Sequence, residues 1–304
     1  MNGFYSSHQL GAKDMTSRST AKQKRSKPKT LRLRKLALQD FSRCHPNVPS
    51  HKGKSCLPSS VQTSIRKQLR TPAKDIFQAV GCQTGEEHCL LDKAPIPDEE
   101  KKELRKQYLR PRQPKSWQKD PDQWLDNFNI LAVMKQYEEA YPWFKFLGVF
   151  PIDFSAPDPY KKGGQPTCLY KEICDLNLTK EYNKGVRGIG MVFNLDPHFK
   201  SGSHWVSLYI NLENIKKPGI YYNDSYGYAV PKLIARLMRS FRLQIKTCEL
   251  GFNARRFQYG DSECGMFSLY FLICMVCGIP FKDFCKDTVN DDFMLQLGNV
   301  LFAK

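Results

Sequence analysis

Phe257-Gln258-Tyr259-Gly260-Asp261-Ser262-Glu263-Cys264-Gly265-Met266 places a polar, glycine-bearing turn directly before the apolar run 266–276. The change of texture marks a helix N-terminus with Cys264 at its start. Helix dipole and unpaired backbone N–H groups favour a thiolate there, so Cys264 is read as a nucleophile. Gln258, six residues earlier, can bring an amide to the same sulfur. The apolar run is well short of the roughly 20 residues that span a bilayer and is read as a buried core helix.

Working outward, residues 204–211 (HWVSLYIN) alternate faces with period two, as a strand does. Residues 219–224 (GIYYND) form a second strand candidate, and Lys216-Lys217-Pro218-Gly219 makes the turn of an antiparallel hairpin. Residues 188–195 precede it as a further strand, and 245–252 can supply a fourth. Residues 231–243 read as an amphipathic helix with Leu233, Ile234, Leu237, Met238 and Phe241 inward, and short helices close the chain. Asp120-Pro121 can start a turn or helix, after which Trp124, Leu125, Phe128, Leu131, Met134 and Tyr137 recur at helical spacing as a core stripe. Residues 144–154 are a short apolar segment broken by Gly148 and Pro151. The layout predicts an α+β fold, with a mostly antiparallel central sheet flanked by helices.

A nucleophilic thiol needs a base, an orienting group for that base, and donors for the developing oxyanion. Of six histidines, only His198 and His204 fall between the start of the sheet region and Cys264. His204 heads a strand and can be held rigidly, whereas His198 sits in an Asp-Pro-His loop, so His204 is preferred. In an antiparallel pair the head of one strand faces the tail of the next, which brings Asp224 to His204. Asn223 is the competing orienter; adjacent strand residues point to opposite faces, so one of the two serves. Asp would stabilise an imidazolium by charge, where Asn would only orient it.

The chain has 304 residues with a formal charge of +17, so an acidic partner is expected. Ten basic residues against two acidic ones lie in residues 1–40, which read as a disordered basic tail, a nucleic-acid contact or an import signal. Charge therefore says nothing about catalysis. Residues 41–115 read as a helical N-terminal extension and 116–304 as the catalytic domain. Cys44, His45, His51, Cys56, Cys82, His88 and Cys89 match no paired zinc-ligand spacing, so no metal and no cofactor is expected. With 11 cysteines and no apolar leader, free buried thiols in a reducing compartment are expected rather than a disulfide framework.

The ordered set His204-Trp205, Asp224-Ser225, Gln258 and Glu263-Cys264-Gly265 resembles the adenovirus-protease and SUMO-protease superfamily. Its order differs from that of papain-like enzymes, where Cys precedes His. Trp124-Leu125-Asp126-Asn127-Phe128-Asn129-Ile130 is similar to the opening motif of SUMO proteases. Gly190, Asn194-Leu195-Asp196 and Gly202-Ser203-His204-Trp205 look most like the polyprotein proteases of large DNA viruses, of African swine fever virus and giant-virus type. That resemblance implies a cysteine endopeptidase cutting after Gly-Gly in viral structural precursors during virion maturation, in the host cytoplasm and the particle. His204 would be the base, Asp224 its orienter, Cys264 the nucleophile and Gln258 an oxyanion donor. Trp205 would roof a channel admitting only glycine. African swine fever-type enzymes carry Asn at the orienting position, so Asn223 stays in play. The Gly163-Gly164-Gln165 loop offers a self-cleavage site, but is read in preference as a plain flexible loop. The alternatives are an isopeptidase acting on host modifier conjugates and a basic nucleic-acid-binding scaffold with an inactive protease fold.

Overall fold

The computed structural model describes residues 44–48, 55–73, 75–120, 124–158, 168–245, 247–287 and 289–303. The basic segment 1–40, His51, Pro121 and the Gly163-Gly164-Gln165 loop lie outside the described residues.

Five strands form one sheet in chain order: β1 (Phe144–Pro151), β2 (Gly188–Asn194), β3 (Trp205–Asn211), β4 (Gly219–Asn223) and β5 (Glu249–Phe252). The expected hairpin is β3–β4, with Ser207 opposite Asn223 and Asn211 opposite Gly219. β2 and β3 are also antiparallel, but both edges are parallel, β1 with β2 and β4 with β5. The sheet is thus mixed rather than mostly antiparallel. Parallel neighbours need a crossover. The chain between β1 and β2 carries two short helices, and that between β4 and β5 carries the amphipathic helix Lys232–Gln244. The broken apolar segment 144–154 supplies β1, where Gly148 sits at a register shift that bends the strand instead of ending it.

Both faces of the sheet are covered, which is why β2 and β3 are buried along nearly their whole length. Val206, Leu208 and Ile210 of β3 join Ile189, Met191 and Phe193 of β2 in one core, closed by Ile234, Leu237, Met238 and Phe241 of the Lys232–Gln244 helix. Trp205 and Tyr209 point the other way, into a core built on the helix Cys264–Val276. All thirteen residues of that helix are buried. It is enclosed by the helices Asn127–Ala140 and Asp291–Leu301, whose Val133, Met134, Met294 and Leu297 share its core. In order along the described chain the helices are α1 (Ser59–Leu69), α2 (Ile76–Ala79), α3 (Glu87–Lys93), α4 (Asp98–Tyr108), α5 (Asn127–Ala140), α6 (Lys171–Cys174), α7 (Leu178–Asn183), α8 (Lys232–Gln244), α9 (Cys264–Val276), α10 (Phe281–Phe284) and α11 (Asp291–Leu301). None of the described helices is long and apolar enough to cross a membrane.

Helix α5 starts later than Asp120-Pro121 suggests. Asp126 caps it, accepting from Asn129 N at 2.7 Å, while the Asn129 side chain accepts from Asp126 N at 3.0 Å. That start leaves Trp124 outside the helix, and Ile130 and Val133 take the inward face with Met134 and Tyr137. Trp124 and Phe128 are therefore exposed, at 41% and 71%, and are not core as the stripe suggests.

Helices α1–α4 share a separate core that includes Ile65, Phe77, Leu90, Leu91 and Leu104. Buried Arg110 ties this region to α5, donating to the Tyr137 hydroxyl at 3.3 Å, and residues 111–113 pair with Ala303 near the end of the chain. Disulfides join Cys44 to Cys56, Cys82 to Cys89, and Cys168 to Cys174. This corrects the expectation of free thiols. Cys44 and Cys56 are twelve residues apart, beyond any local spacing rule, and only the fold brings them together.

Candidate active site

The antiparallel hairpin puts the head of β3 beside the tail of β4. His204, the residue before β3, and Asp224, the residue after β4, meet there with Nε2 and Oδ1 2.8 Å apart. Asp224 is 1% exposed, and the same Oδ1 accepts from Tyr226 N at 2.9 Å. A backbone N–H and an imidazole offset the cost of burying a carboxylate. Asn223 lies one residue earlier and its side chain turns elsewhere, its oxygen accepting from Asn253 Nδ2 at 3.4 Å.

Cys264 is the first residue of α9, and its thiol lies close enough to His204 to act on the imidazole. Nε2 is committed to Asp224, so Nδ1 is the nitrogen left for the sulfur. Burial of the imidazole works against its protonation, but the bonds to Asp224 and Cys264 and their negative charge outweigh it and raise His204 to about 9. Burial pushes the thiols of Cys248 and Cys274 up, and that of Cys285 to about 11, so these stay protonated at neutral pH. Cys264 is the thiol that faces an imidazole. No side chain caps α9, so the backbone N–H groups of its first turn lack intrahelical acceptors and point at the same place.

Gln258 is fully buried on the loop between β5 and α9. Its Oε1 accepts from Ser225 Oγ at 2.6 Å, and its Nε2 donates one proton to Gly260 O at 3.0 Å, leaving a second amide proton. The loop is fastened from both sides. Phe257 N and Gln258 N donate to Ser225 O, and Asp291, at the start of α11, accepts from Tyr259 N and Gly260 N at 3.0 and 3.1 Å. Ser225 stands in the Asp-Ser motif, but Asp291 carries no sequence signal, because its partners are backbone groups 31 and 32 residues away.

Trp205 donates its indole N–H to Leu125 O at 2.9 Å. The same Leu125 packs on α9 at Gly265, where a methyl group would come within 3.0 Å of Leu125 Cβ. Glycine after the cysteine therefore lets the 124–126 segment close over the start of α9. A cleft of about 390 Å³ opens beside Trp205, with Trp124, Asn127, Asn194, Lys200 and Gly202 in its walls. His198 lines it too, and its Nδ1 is 2.7 Å from Asp153 Oδ2, away from the His204 cluster. Among the described residues no group of three or more His, Cys, Asp or Glu side chains could hold a metal ion.

No protein-family model matches the chain. It is 30% identical over 189 residues to a protein of Acanthamoeba polyphaga mimivirus designated a thiol protease, covering 59% of this chain and 57% of that relative. It is 24% identical over 186 residues to the SUMO-1 cysteine protease of African swine fever virus, covering 59% of this chain and 67% of the relative. The matched stretch thus spans little more than half of the mimivirus protein. The crystal structure of the African swine fever virus protease superposes with a TM-score of 0.67 at 18% identity, over 86% of this chain and 96% of that one. The chain is related in sequence to viral thiol proteases and carries the α+β fold of the African swine fever virus enzyme.

Proposed function

We propose that this protein is a viral cysteine endopeptidase that cuts after Gly-Gly in structural precursors during particle maturation. The observation that carries the reading is the His204–Asp224 bond of 2.8 Å beside Cys264 at the start of α9. In the acylation step the Cys264 thiolate attacks the scissile carbonyl carbon. The carbonyl oxygen becomes an oxyanion, received by the Cys264 N–H and the spare amide proton of Gln258. Imidazolium Nδ1 then gives its proton to the leaving amine as the C–N bond breaks. A water loses its proton to Nδ1 as its oxygen attacks the thioester, and the C–S bond then breaks to release the acid and restore the thiolate–imidazolium pair. Asp224 holds the ring and stabilises its charge throughout. Trp205 and Trp124 line a cleft beside His204, where an extended peptide could lie, and the Gly-Gly preference is carried by the resemblance to the viral polyprotein proteases.

The African swine fever virus relative is named a SUMO-1 cysteine protease, which supports a second reading: removal of ubiquitin-like modifiers from host proteins. Incubation with a Gly-Gly-x precursor peptide and with a modifier conjugate separates the two. Efficient cleavage of the conjugate alone would overturn the endopeptidase reading. Cys264→Ala should lower turnover by at least about 10³-fold, and unchanged proteolysis would end both readings.

Viral precursor polyproteins are the proposed partners, in the host-cell factory and the virion. The basic segment 1–40 is assigned a DNA contact from its charge. Its deletion should weaken DNA binding and flatten the salt dependence; an unchanged slope would refute this.

A further inference from the structure

Tyr226 follows the Asp-Ser pair and has no part in the proposed chemistry. It sits in the turn that follows β4, three residues past Asn223, where Gly227 N donates back to Asp224 O. Its ring stacks on the imidazole, with centroids 4.8 Å apart and planes 25° from parallel. Its backbone N–H donates to the Asp224 oxygen that also binds His204. Its hydroxyl donates to Gly260 O at 3.0 Å, the carbonyl that also accepts from Gln258 Nε2. One side chain therefore touches the base with its face and the oxyanion loop with its tip. The turn that holds it is tight: Gly227 has φ +74°, and a methyl group there would come within 2.7 Å of the Arg255 backbone.

We propose that Tyr226 is a positioning residue that couples the His204 base to the loop carrying Gln258. The inference rests on the reading of His204 and Cys264 as base and nucleophile. A protonated imidazole above an aromatic face gains cation–π attraction that the neutral ring does not. The hydroxyl shares Gly260 O with Gln258 and so fixes where the second amide proton of Gln258 points. The charged and titratable groups facing the imidazole are Asp224 at the end of β4 and Cys264 on α9. Around Tyr226 itself lie Arg256, Asp261 and Glu263.

The two contacts separate by substitution. Iodoacetate is anionic, so its reaction with Cys264 slows as His204 loses its proton, and mass mapping reads the site. Tyr226→Phe keeps the stack and removes the hydroxyl. It should leave the alkaline limb of that reaction in place, lower kcat on a Gly-Gly-x peptide about 3- to 10-fold, and leave KM unchanged. Tyr226→Leu removes both contacts and should also move the limb down by about half a pH unit. A merely structural tyrosine would lower the melting temperature without moving the limb. The inference is overturned if Tyr226→Leu keeps the wild-type limb and kcat while His204→Ala abolishes the limb. If His204→Ala itself leaves the limb in place, the parent reading fails instead.

Discussion

Replacing Asp224 by Asn keeps the shape of the side chain and removes its charge. His204 is buried, which alone would disfavour its protonation, yet it is held at about 9 by Asp224 and Cys264. With the Asp224 charge gone, burial is opposed by Cys264 alone, and the imidazole should fall toward its ordinary value near 6.5. A complete fall from about 9 to 6.5, the limit of the shift, is worth roughly 3 kcal/mol. At pH 8 the protonated fraction then drops from about nine-tenths to about 3%, a loss of roughly thirtyfold in the ion-pair form. At pH 5.5 both proteins are protonated and should differ little. The assay is iodoacetate modification of Cys264 from pH 5 to 10, run beside peptide hydrolysis. An alkaline limb that stays near 9 in Asp224→Asn would refute the reasoning. The same shift carries a stability consequence. A folded-state value raised above the unfolded one stabilises the protein fully below about pH 6.5, and that contribution is lost as pH rises through about 9. Urea unfolding at pH 6 and pH 10 should show the loss in the wild type and much less of it in Asp224→Asn.

Leu272 is fully buried on α9 against the sheet, and Leu272→Ala should cost about 2–5 kcal/mol in urea unfolding; a cost under 1 kcal/mol would contradict that packing. Gly265→Val must push Leu125 away and with it the acceptor of the Trp205 indole, so peptide KM should rise and stability fall by about 1–3 kcal/mol. Unaltered KM would show that the 124–126 segment does not shape the cleft. Alkylation of the unfolded, non-reduced protein should modify five cysteines, Cys248, Cys264, Cys274, Cys277 and Cys285, and all 11 after reduction. Modification of all 11 without reductant would restore the reading of a fully reduced chain.

Features that depend on a few neighbours in the chain were legible in the sequence. The polar turn before the apolar run placed Cys264 at the first residue of α9 because texture changes where a helix begins. Period-two alternation and the Lys-Lys-Pro-Gly turn placed β3 and β4, and with them the approach of His204 to Asp224. Features decided at long range were not legible. Parallel pairing at both sheet edges depends on how α6, α7 and α8 pack, not on the strands' own residues. Cys44 finds Cys56 only once the α1–α4 core has closed, and Asp291 reaches the Gln258 loop only because α11 docks beside α9. Trp124 and Phe128 fit a helical stripe but lie outside the core, because the Asp126 cap sets where the helix begins and so which face turns inward. Local propensity and periodicity are properties of the chain. Which groups end up facing one another across the Cys264 turn, Tyr226 among them, is a property of packing, and only the tertiary structure decided it.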